Sequence, residues 1–301
     1  MINGIINVYK EKGYTSFDVV AKLRGILKTR KIGHTGTLDP DAEGVLPVCL
    51  GKATKVCDLL TDKNKEYVAV MLLGKITDTQ DVTGTVLEEH PVEVTEEQVK
   101  EAVLSFIGDY MQVPPMYSAL KVNGKLCDLA RSGVTVERQA RPVQIYSIEI
   151  IKMELPRVCM RVRCSKGTYI RTLCQDIGEK LSCGACMEAL LRTKVSEFCV
   201  QDALRLSEIE ERVQKAAGQI TPEQWNTEMF DFIYAVDSIF LQYKKAVICR
   251  EWNKLLYNGN RMKKDMFVSY QKDWEQQKIR IYDEEGRFIG IYEYSETHGD
   301  Y

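Results

Sequence analysis

The sequence predicts an α+β protein with one large domain and a small C-terminal unit of short strands. Tyr67–Leu73 is apolar on both faces, which is typical of a central strand covered on both sides. Apolar residues at helical spacing occur elsewhere, as in the segment 170–181. From about residue 240 the pattern changes to short strand-like runs between turn signals. With 301 residues the chain can hold both units, and we place domain boundaries at 1–238 and 239–301.

Composition is typical of a globular protein of the cytoplasm. The hydrophobic fraction is 45% and the charged fraction is 28%, both ordinary for a globular domain. The longest apolar run, Val68–Leu73, is far shorter than the roughly 18 residues that span a membrane. The first seven residues lack the basic flank and the apolar core of a secretory signal. We therefore expect a cytoplasmic protein with no membrane association, whose ten cysteines are reduced thiols.

The cysteines could also hold a metal, but their spacing argues against it. Cys183 and Cys186 form a single C-x-x-C pair, for which Cys159 and Cys164 are candidate partners. Alternating apolar residues at 158–162 indicate a strand, so positions 159 and 164 point to opposite faces. The chain has three histidines and no H-E-x-x-H motif. We expect no metal site.

Charge is distributed unevenly along a chain whose formal net charge is -2. Residues 1–60 carry nine Lys and Arg against six Asp and Glu, and residues 115–145 carry five against two. Residues 201–238 carry three against eight, and we expect an acidic helical connector there. Local basic patches can bind RNA phosphates even on a near-neutral protein. Charge alone is equally compatible with an ordinary mixed surface.

Residues 33–52 are the most distinctive segment of the chain. Gly33 and Gly36 allow backbone angles that other residues resist, and Asp39 is held extended by the proline that follows it. These residues predict a tightly bent loop with one carboxylate near its apex, leading into a buried strand. A P-loop is excluded because Ala53 stands where a Ser or Thr would hold magnesium. From the residues alone, a surface turn in which the aspartate caps the backbone is an open alternative.

The run Gly-His-Thr-Gly-Thr-Leu-Asp-Pro, with Gly-Val-Leu-Pro-Val-Cys after it, resembles the signature of the TruB-type pseudouridine synthases. The resemblance covers roughly residues 3–200 and implies a catalytic domain built on a mixed, largely antiparallel sheet with flanking helices. It implies an isomerase that converts uridine 55 in the T loop of tRNA to pseudouridine, with no metal or organic cofactor. The target base would be flipped out of the folded loop, and Asp39 would be the catalytic residue. Whether Asp39 attacks the sugar or the base, or removes a sugar proton, stays open.

Two further catalytic residues follow from the same resemblance. Tyr67 opens the predicted central strand, where the family has a tyrosine that packs against the target base; from the sequence alone it is a core aromatic. Ser-Lys-Gly-Thr-Tyr-Ile-Arg-Thr at 165–172 resembles the motif whose arginine pairs with the catalytic aspartate, which implies an Arg171–Asp39 pair. Such an arginine lowers the pKa of the aspartate. Because a cation in the first helical turn opposes the helix dipole, Arg171 gains from a nearby anion, although a solvated arginine is the alternative.

Four residues are implied to contact the target base or to line the cleft. His34 is placed to support the flipped state, and Tyr169 offers an aromatic and a hydroxyl contact. Asp81 ends the run Thr-Asp-Thr-Gln-Asp, which resembles a family segment near the active cleft, and Leu190 matches a position that lines the base pocket. Without the resemblance, His34 and Asp81 are ordinary turn residues. Leu191 stands where the family often has an arginine, so we expect one phosphate contact to be missing.

Residues 109–147 resemble the mobile insertion with which the family grips the RNA stem-loop. The run Pro-Pro-Met-Tyr-Ser-Ala-Leu-Lys, ending at Lys121, matches its opening, and Asn-Gly at 123–124 is a strong hairpin signal. A short helix is predicted at 126–131. Lys121 and Arg141 are expected to neutralise phosphates of the T stem-loop. From the residues alone, a solvated surface hairpin is the alternative.

The remaining elements are predicted as scaffold and as a C-terminal RNA-binding unit. Residues 2–9 alternate weakly and favour an edge strand, Ser16 is placed as the N-cap of the next helix, and Thr95–Gln98 as a capping box. Tyr-Asp-x-x-Gly-x-Phe-Ile-Gly at 282–290 resembles a PUA-type RNA-binding domain, which implies a small β-barrel in residues 239–301. Its strands are expected at 246–249, 267–270, 278–282 and 288–292.

Two other functions stay open. The chain could resemble the guide-RNA-dependent relatives of this family, although the long insertion and the short C-terminal unit favour an enzyme that acts alone. It could instead act chiefly as a tRNA folding chaperone, although the set of Asp39, Tyr67 and Arg171 favours catalysis. We expect tRNA as the partner, no obligate protein partner, and a monomer.

Overall fold

The computed structural model describes residues 2–61, 63–117, 138–218 and 220–301, together with the backbone of two short strands at 121–122 and 125–126. Two compact units are formed, residues 1–233 and 234–301, and each is described by itself. The division lies close to the boundary that we placed after residue 238. In the described ranges, no helix is long and apolar enough to cross a membrane.

Strands and helices are mixed along the first unit. Its strands are β1 (Gly4–Lys10), β2 (Ile32–His34), β3 (Glu43–Leu50), β4 (Lys65–Leu73), β5 (Lys75–Thr77), β6 (Val86–Glu89), β7 (Gly108–Gln112), β8 (Lys121–Val122), β9 (Lys125–Leu126), β10 (Arg141–Glu154), β11 (Arg157–Cys164), β12 (Ala185–Val195), β13 (Phe198–Cys199) and β14 (Ile233–Tyr234). Its helices are α1 (Ser16–Leu27), α2 (Cys57–Thr61), α3 (Glu96–Leu104), α4 (Ile170–Lys180) and α5 (Leu206–Ala217). The capping box predicted at Thr95–Gln98 is confirmed at the start of α3.

One large sheet organises the first unit. Its strand order is β14-β1-β3-β12-β4-β11-β10-β7, with β2 added to β3 and β13 added to β12. β12 runs parallel to β3, whereas β1–β3, β4–β12, β4–β11, β10–β11 and β7–β10 are antiparallel pairs. This pairing confirms the predicted mixed, largely antiparallel sheet. β4 lies between β12 and β11, in the central position that its two apolar faces predict.

Two apolar cores meet at the segment that carries Asp39. Helices α1 and α5 pack on β1 and β3 in one core, and α3 and α4 pack on β4, β10 and β11 in the other. Ile32, at the start of β2, belongs to the first core, whereas Leu38 and Ala42 are buried in the second. The connection from β2 to β3 therefore crosses from one core to the other, and Asp39 lies at their junction.

Two predictions about the N-terminal elements are wrong. β1 is not an edge strand: every residue except Tyr9 is buried, because β3 and β14 flank it and α1 covers it. The N-cap of α1 is Thr15 rather than Ser16, since the carboxylate of Asp18 accepts from Thr15 N at 2.8 Å and completes a capping box. Ser16 Oγ instead accepts from Leu38 N at 3.0 Å, which ties α1 to the loop.

The second unit contains a three-stranded sheet. Its elements are β15 (Lys244–Ile248), α6 (Asn253–Tyr257), β16 (Ile279–Asp283) and β17 (Phe288–Tyr292). β15 runs parallel to β16, and β17 pairs with β16 antiparallel. The strand expected at 267–270 is wrong: Phe267 forms an isolated bridge with Ile248, and its ring packs edge-on against Trp274 and Tyr301, with ring centroids 5.7 and 5.3 Å apart. The predicted PUA-like barrel is not confirmed.

Candidate active site

A buried lysine holds the loop that carries Asp39. Lys10 ends β1 and is 0% exposed, and its Nζ donates to the carbonyls of Glu11 (3.2 Å), Pro40 (3.0 Å) and Ala42 (2.6 Å). Burial lowers the pKa of Lys10 to about 8, so at neutral pH the amine is protonated and supplies all three hydrogens. Ala42 N donates to Asp39 O at 3.1 Å and closes the turn. Lys10 and this turn together hold the backbone of residues 40–42, which follows Asp39.

Lys10→Met is expected to lower both stability and catalytic rate. The substitution leaves the buried carbonyl of Ala42 without this donor, and a buried unsatisfied acceptor costs about 1–3 kcal/mol, whereas Pro40 O still accepts from Gly13 N at 2.9 Å. Urea unfolding measures the change in stability. Lys12→Met is the matched control, because Lys12 is exposed and lies 3.9 Å from Asp41. Equal stability of the two variants would contradict the role of Lys10.

A second buried cation lies beneath the same loop. Arg192 of β12 is 1% exposed; its Nε donates to Val45 O at 2.7 Å and its Nη2 to Gly36 O at 3.3 Å. Gly44 is opposite Arg192 in the parallel β3–β12 pair, and a Cβ at Gly44 would stand 2.2 Å from the carbonyl oxygen of Arg192. Gly44 also has a φ of +108°, in the region that favours glycine. The two strands can approach this closely because position 44 has no side chain.

Arg171 and Asp39 form an ion pair with two contacts. Nε of Arg171 lies 3.1 Å from Oδ2 of Asp39, and Nη2 donates to Oδ1 at 3.3 Å. Nη1 donates to Thr79 O at 3.1 Å and lies 3.7 Å from Oδ2 of Asp81. Nη2 also donates to Tyr117 O at 2.9 Å. Arg171 is 6% exposed, so acceptors from three separate segments hold its guanidinium in one orientation.

The surroundings of Asp39 disfavour the ionised form of its carboxyl group. Its side chain is 41% exposed, yet it stands at the crowded junction of the two cores, and this desolvation raises the pKa of Asp39. Arg171 lowers the pKa, as the sequence predicts, but burial is the larger effect, and Asp81 raises the pKa further. Such a carboxylate, when ionised, is a stronger base and nucleophile than a solvated one.

Asp81 is the second carboxylate beside Arg171. Its Oδ1 accepts from Thr79 Oγ1 at 2.9 Å, from Thr83 N at 3.0 Å and from Thr83 Oγ1 at 2.5 Å. These bonds leave Oδ2 directed towards Arg171. The turn thus orients Asp81 against the guanidinium, on the side away from the Oδ atoms of Asp39.

Tyr67 and Leu190 lie on the same face of the sheet. Tyr67 is 8% exposed and lies close to the side chain of Arg192. Burial raises the pKa of Tyr67 to about 12, so the phenol stays protonated across the physiological range. Leu190 is half-buried on β12 opposite Ala69, two residues along β4 from Tyr67, and packs against the same core. The two side chains offer an aromatic and an aliphatic surface.

His34 and Tyr169 lie at the ends of two elements, the last position of β2 and the N-cap of α4. His34 closes β2; its Nδ1 accepts from Gly36 N at 3.4 Å, and burial lowers the pKa of His34, so the ring is neutral at pH 7. Tyr169 stands at the N-cap of α4, two residues before Arg171. Its N donates to Gln112 Oε1 at 2.7 Å, and its O accepts from Gln112 Nε2 at 2.9 Å.

The basic residues assigned to the RNA stem-loop are described in part. Arg141 is exposed at the first position of β10, opposite Gln112 of β7. Lys121–Val122 pairs with Lys125–Leu126 as two antiparallel strands, as the hairpin signal predicts. The side chain of Lys121 and the helix predicted beyond Leu126 lie outside the described residues. The structure therefore places Arg141, but not the side chain of Lys121.

The cysteines that the structure describes are free thiols. Cys164 is buried in the core and Cys159 is half-buried on the other face of β11, as the alternation predicts. Burial raises the pKa of Cys164 to about 12 and that of Cys186 to about 11. Among the described residues, no group of three or more His, Cys, Asp or Glu could hold a metal ion.

Two family models match residues 24–240, and known proteins resemble the chain over nearly its whole length. A family model described as TruB family pseudouridylate synthase (N terminal domain) matches residues 24–170. A second, described as tRNA pseudouridylate synthase B C-terminal domain, matches residues 171–240. The tRNA pseudouridine synthase B of Lachnoclostridium phytofermentans is 55% identical, over 100% of this chain and 98% of its own. That of Clostridium novyi is 47% identical, over 96% and 95%.

Solved structures share the fold at lower identity. A chain in a crystal structure of a Cbf5-Nop10-Gar1 complex is 27% identical with a TM-score of 0.72, covering 97% of this chain and 78% of that one. A chain in an H/ACA RNP bound to a substrate RNA containing 2'-deoxyuridine is 26% identical with a TM-score of 0.70, at the same coverage.

Proposed function

Because this chain belongs to the TruB family of pseudouridylate synthases, we propose that it converts uridine 55 in the T loop of tRNA to pseudouridine at Asp39. Its activity is that of a tRNA pseudouridine synthase, an isomerase, as in relatives that share up to 55% of its residues. The two-contact pair between Asp39 and Arg171 carries the assignment of the site. It joins a carboxylate on a loop that Lys10 holds by hydrogen bonds to a guanidinium that Thr79 O and Tyr117 O also bind.

The reaction moves the uracil from a nitrogen to a carbon linkage. The bond between N1 of uracil and C1′ of ribose breaks, the base rotates, and a bond between C5 and C1′ forms. The proton on C5 leaves and N1 gains a proton, so substrate and product are isomers. Asp39 acts in its ionised form, as a nucleophile or as a base, and the charge of Arg171 opposes the desolvation that favours its protonation.

The target uridine must leave its loop before Asp39 can reach it. In the proposed complex the flipped base packs against Tyr67, and Leu190 provides the apolar wall beside it. Neutral His34 supports the flipped state, and Tyr169 supplies an aromatic and a hydroxyl contact. Asp81 is the second carboxylate partner of Arg171, and it contributes to the substrate site by holding that guanidinium in place.

The test is a tritium-release assay on an unmodified tRNA transcript labelled at C5 of uridine. The purified chain is incubated with the transcript alone, with no added RNA or protein. Tritium release from this transcript, and none from one with cytidine at position 55, is the expected result. Tight tRNA binding without release would favour the guide-RNA-dependent or chaperone alternatives, and would contradict the proposal.

Arg141 is proposed to contact a phosphate of the T stem-loop, together with Lys121. Arg141→Gln and Lys121→Gln should each weaken tRNA binding and reduce the slope of log affinity against log salt by about 0.7–0.9 per lost phosphate contact. Lys152→Gln is the control, because Lys152 lies further along the same strand and pairs with Glu154 at 2.9 Å. A slope as steep as that of the unsubstituted chain would refute the assignment.

The second unit is proposed to add RNA contacts. This rests on the resemblance of 282–290 to a PUA-type domain and on the three-stranded sheet that contains those residues. We expect the enzyme to act as a monomer without an obligate protein partner, and in the cytoplasm, where its tRNA substrate is processed.

A further inference from the structure

A buried glutamine connects the start of the insertion to the helix that carries Arg171. Gln112 is the last residue of β7 and is 1% exposed. Its side-chain amide makes two hydrogen bonds to one main-chain unit: Tyr169 N donates to Oε1 at 2.7 Å, and Nε2 donates to Tyr169 O at 2.9 Å. The amide therefore pairs with Tyr169 as a neighbouring β-strand would.

This pairing fixes the point from which Arg171 projects. Tyr169 is the N-cap of α4, and Arg171 lies in the first turn of that helix. Thr79, Tyr117 and Asp39 take the guanidinium hydrogens, so a shift of the helix start would pull the guanidinium from these partners. A displacement of a fraction of an ångström is enough to lengthen a hydrogen bond beyond its useful range.

The same segment also reaches Arg171 from the other side. Gln112 is paired with Arg141 in the β7–β10 register, so these two residues lie opposite each other at the root of the insertion. Five residues after Gln112, the carbonyl of Tyr117 accepts from Nη2 of Arg171 at 2.9 Å. Arg138 lies three residues before β10, where the chain returns to the sheet. Its Nη1 donates to Pro114 O at 2.9 Å and holds this segment in place. Residues 112–117 thus hold Arg171 twice, through its backbone and through its guanidinium.

A packing role alone does not explain a glutamine here. Burying an amide is costly unless its donor and acceptor are both satisfied, and an apolar side chain of similar length would fill the same volume. At neutral pH a side-chain amide offers a donor and an acceptor side by side, which is what the N–H and the carbonyl of Tyr169 require.

We propose that Gln112 is a positioning residue for the reaction, which aligns Arg171 with Asp39 and couples that alignment to the root of the RNA-gripping insertion. The inference rests on the proposed function. Gln112 acts through Arg171, and its loss should affect the chemical step rather than the binding of RNA.

The test compares Gln112→Met with the unsubstituted chain in single-turnover tritium release and in tRNA binding. Methionine keeps the length and loses both hydrogen bonds. We expect the rate to fall about tenfold or more, and the Kd for the same transcript to stay within about twofold. Gln98→Met is the matched control, because Gln98 also accepts from a main-chain N–H, that of Thr95 at 2.8 Å, but at the exposed start of α3.

A pH comparison separates positioning from loss of structure. The charged groups around Asp39 are Arg171, Asp81, Lys10 and Asp41, and of these Arg171 is the cation that Gln112 aligns. A displaced Arg171 lowers the pKa of Asp39 less, so the ionised fraction falls more at acid pH. The rate deficit of Gln112→Met should therefore be larger at about pH 5.5 than at about pH 8.

The outcomes distinguish this inference from the proposed function. If the unsubstituted chain releases no tritium, the proposed function fails. If it is active, the inference fails alone when Gln112→Met keeps its rate within about twofold, loses affinity in proportion to rate, or shows the same deficit at both pH values. Should Gln112→Met not fold, Gln112→Glu, which keeps the shape and the acceptor for Tyr169 N, is measured by the same criteria.

Discussion

An Asp39→Asn enzyme is expected to bind tRNA with nearly unchanged affinity and to form no measurable pseudouridine. Asparagine preserves the shape of the side chain but can act neither as a nucleophile nor as a base. We expect the single-turnover rate to fall by at least about 10³-fold. Tritium release under excess enzyme, with binding measured on the same transcript, checks the prediction.

The control for this substitution lies on the same loop. Asp41→Asn removes a carboxylate two residues away, which is exposed and stands 3.9 Å from Lys12. Its rate should stay within about twofold of the unsubstituted chain, because exposed ion pairs contribute little. A rate for Asp39→Asn close to that of Asp41→Asn would remove Asp39 from the mechanism.

Arg171→Lys is expected to lower the rate about 100-fold, although the charge is kept. A lysine is a single point of charge and cannot meet Asp39 at two atoms while also reaching Thr79 O and Tyr117 O. The pH dependence should change as well. Asp39 must be ionised, burial raises its pKa, and Arg171 is the larger of the two charges, Arg171 and Lys10, that lower it. Weakening the Arg171–Asp39 pair raises the pKa further, so activity is lost at a higher pH as the solution is acidified.

Rates measured from acid to neutral pH check this shift, with Arg163→Lys as the control. Arg163 lies on β11 and is exposed, opposite Glu66 and on the face of the sheet away from Tyr67. An acidic limb that coincides for Arg171→Lys and the unsubstituted chain would show that Arg171 does not set the ionisation of Asp39.

The sequence identifies the residues of the ion pair more readily than it identifies their supports. Asp39 and Arg171 stand in motifs whose resemblance names them, and the structure brings them to 3.1 Å. Lys10, Gln112 and Arg192 carry no such signal. In the sequence they are ordinary polar residues, and their burial, at most 1% exposed, depends on tertiary packing that local patterns do not carry.

The errors at the N-terminus have the same origin. Weak alternation in β1 indicates one exposed face, but burial of the strand depends on β14, whose residues lie more than 220 positions away in the sequence. Thr15 and Ser16 are both good N-caps by type, and the choice was decided by Asp18 and by the contact of Ser16 with Leu38. The pKa of Asp39 also depends on a balance of distances and burial that composition does not contain.

The approach of Gly44 to Arg192 has a consequence for how this chain can vary. The β3–β12 pair joins the half of the sheet under α1 and α5 to the half under α3 and α4, and it does so where a Cβ would stand 2.2 Å from a carbonyl oxygen. Any side chain at position 44 must push the two halves of the sheet apart. This would also separate the loop that carries Asp39 from α4, the helix that carries Arg171. In a library randomised at this codon, glycine alone should therefore survive selection for activity, however freely the exposed residues of the same loop are exchanged.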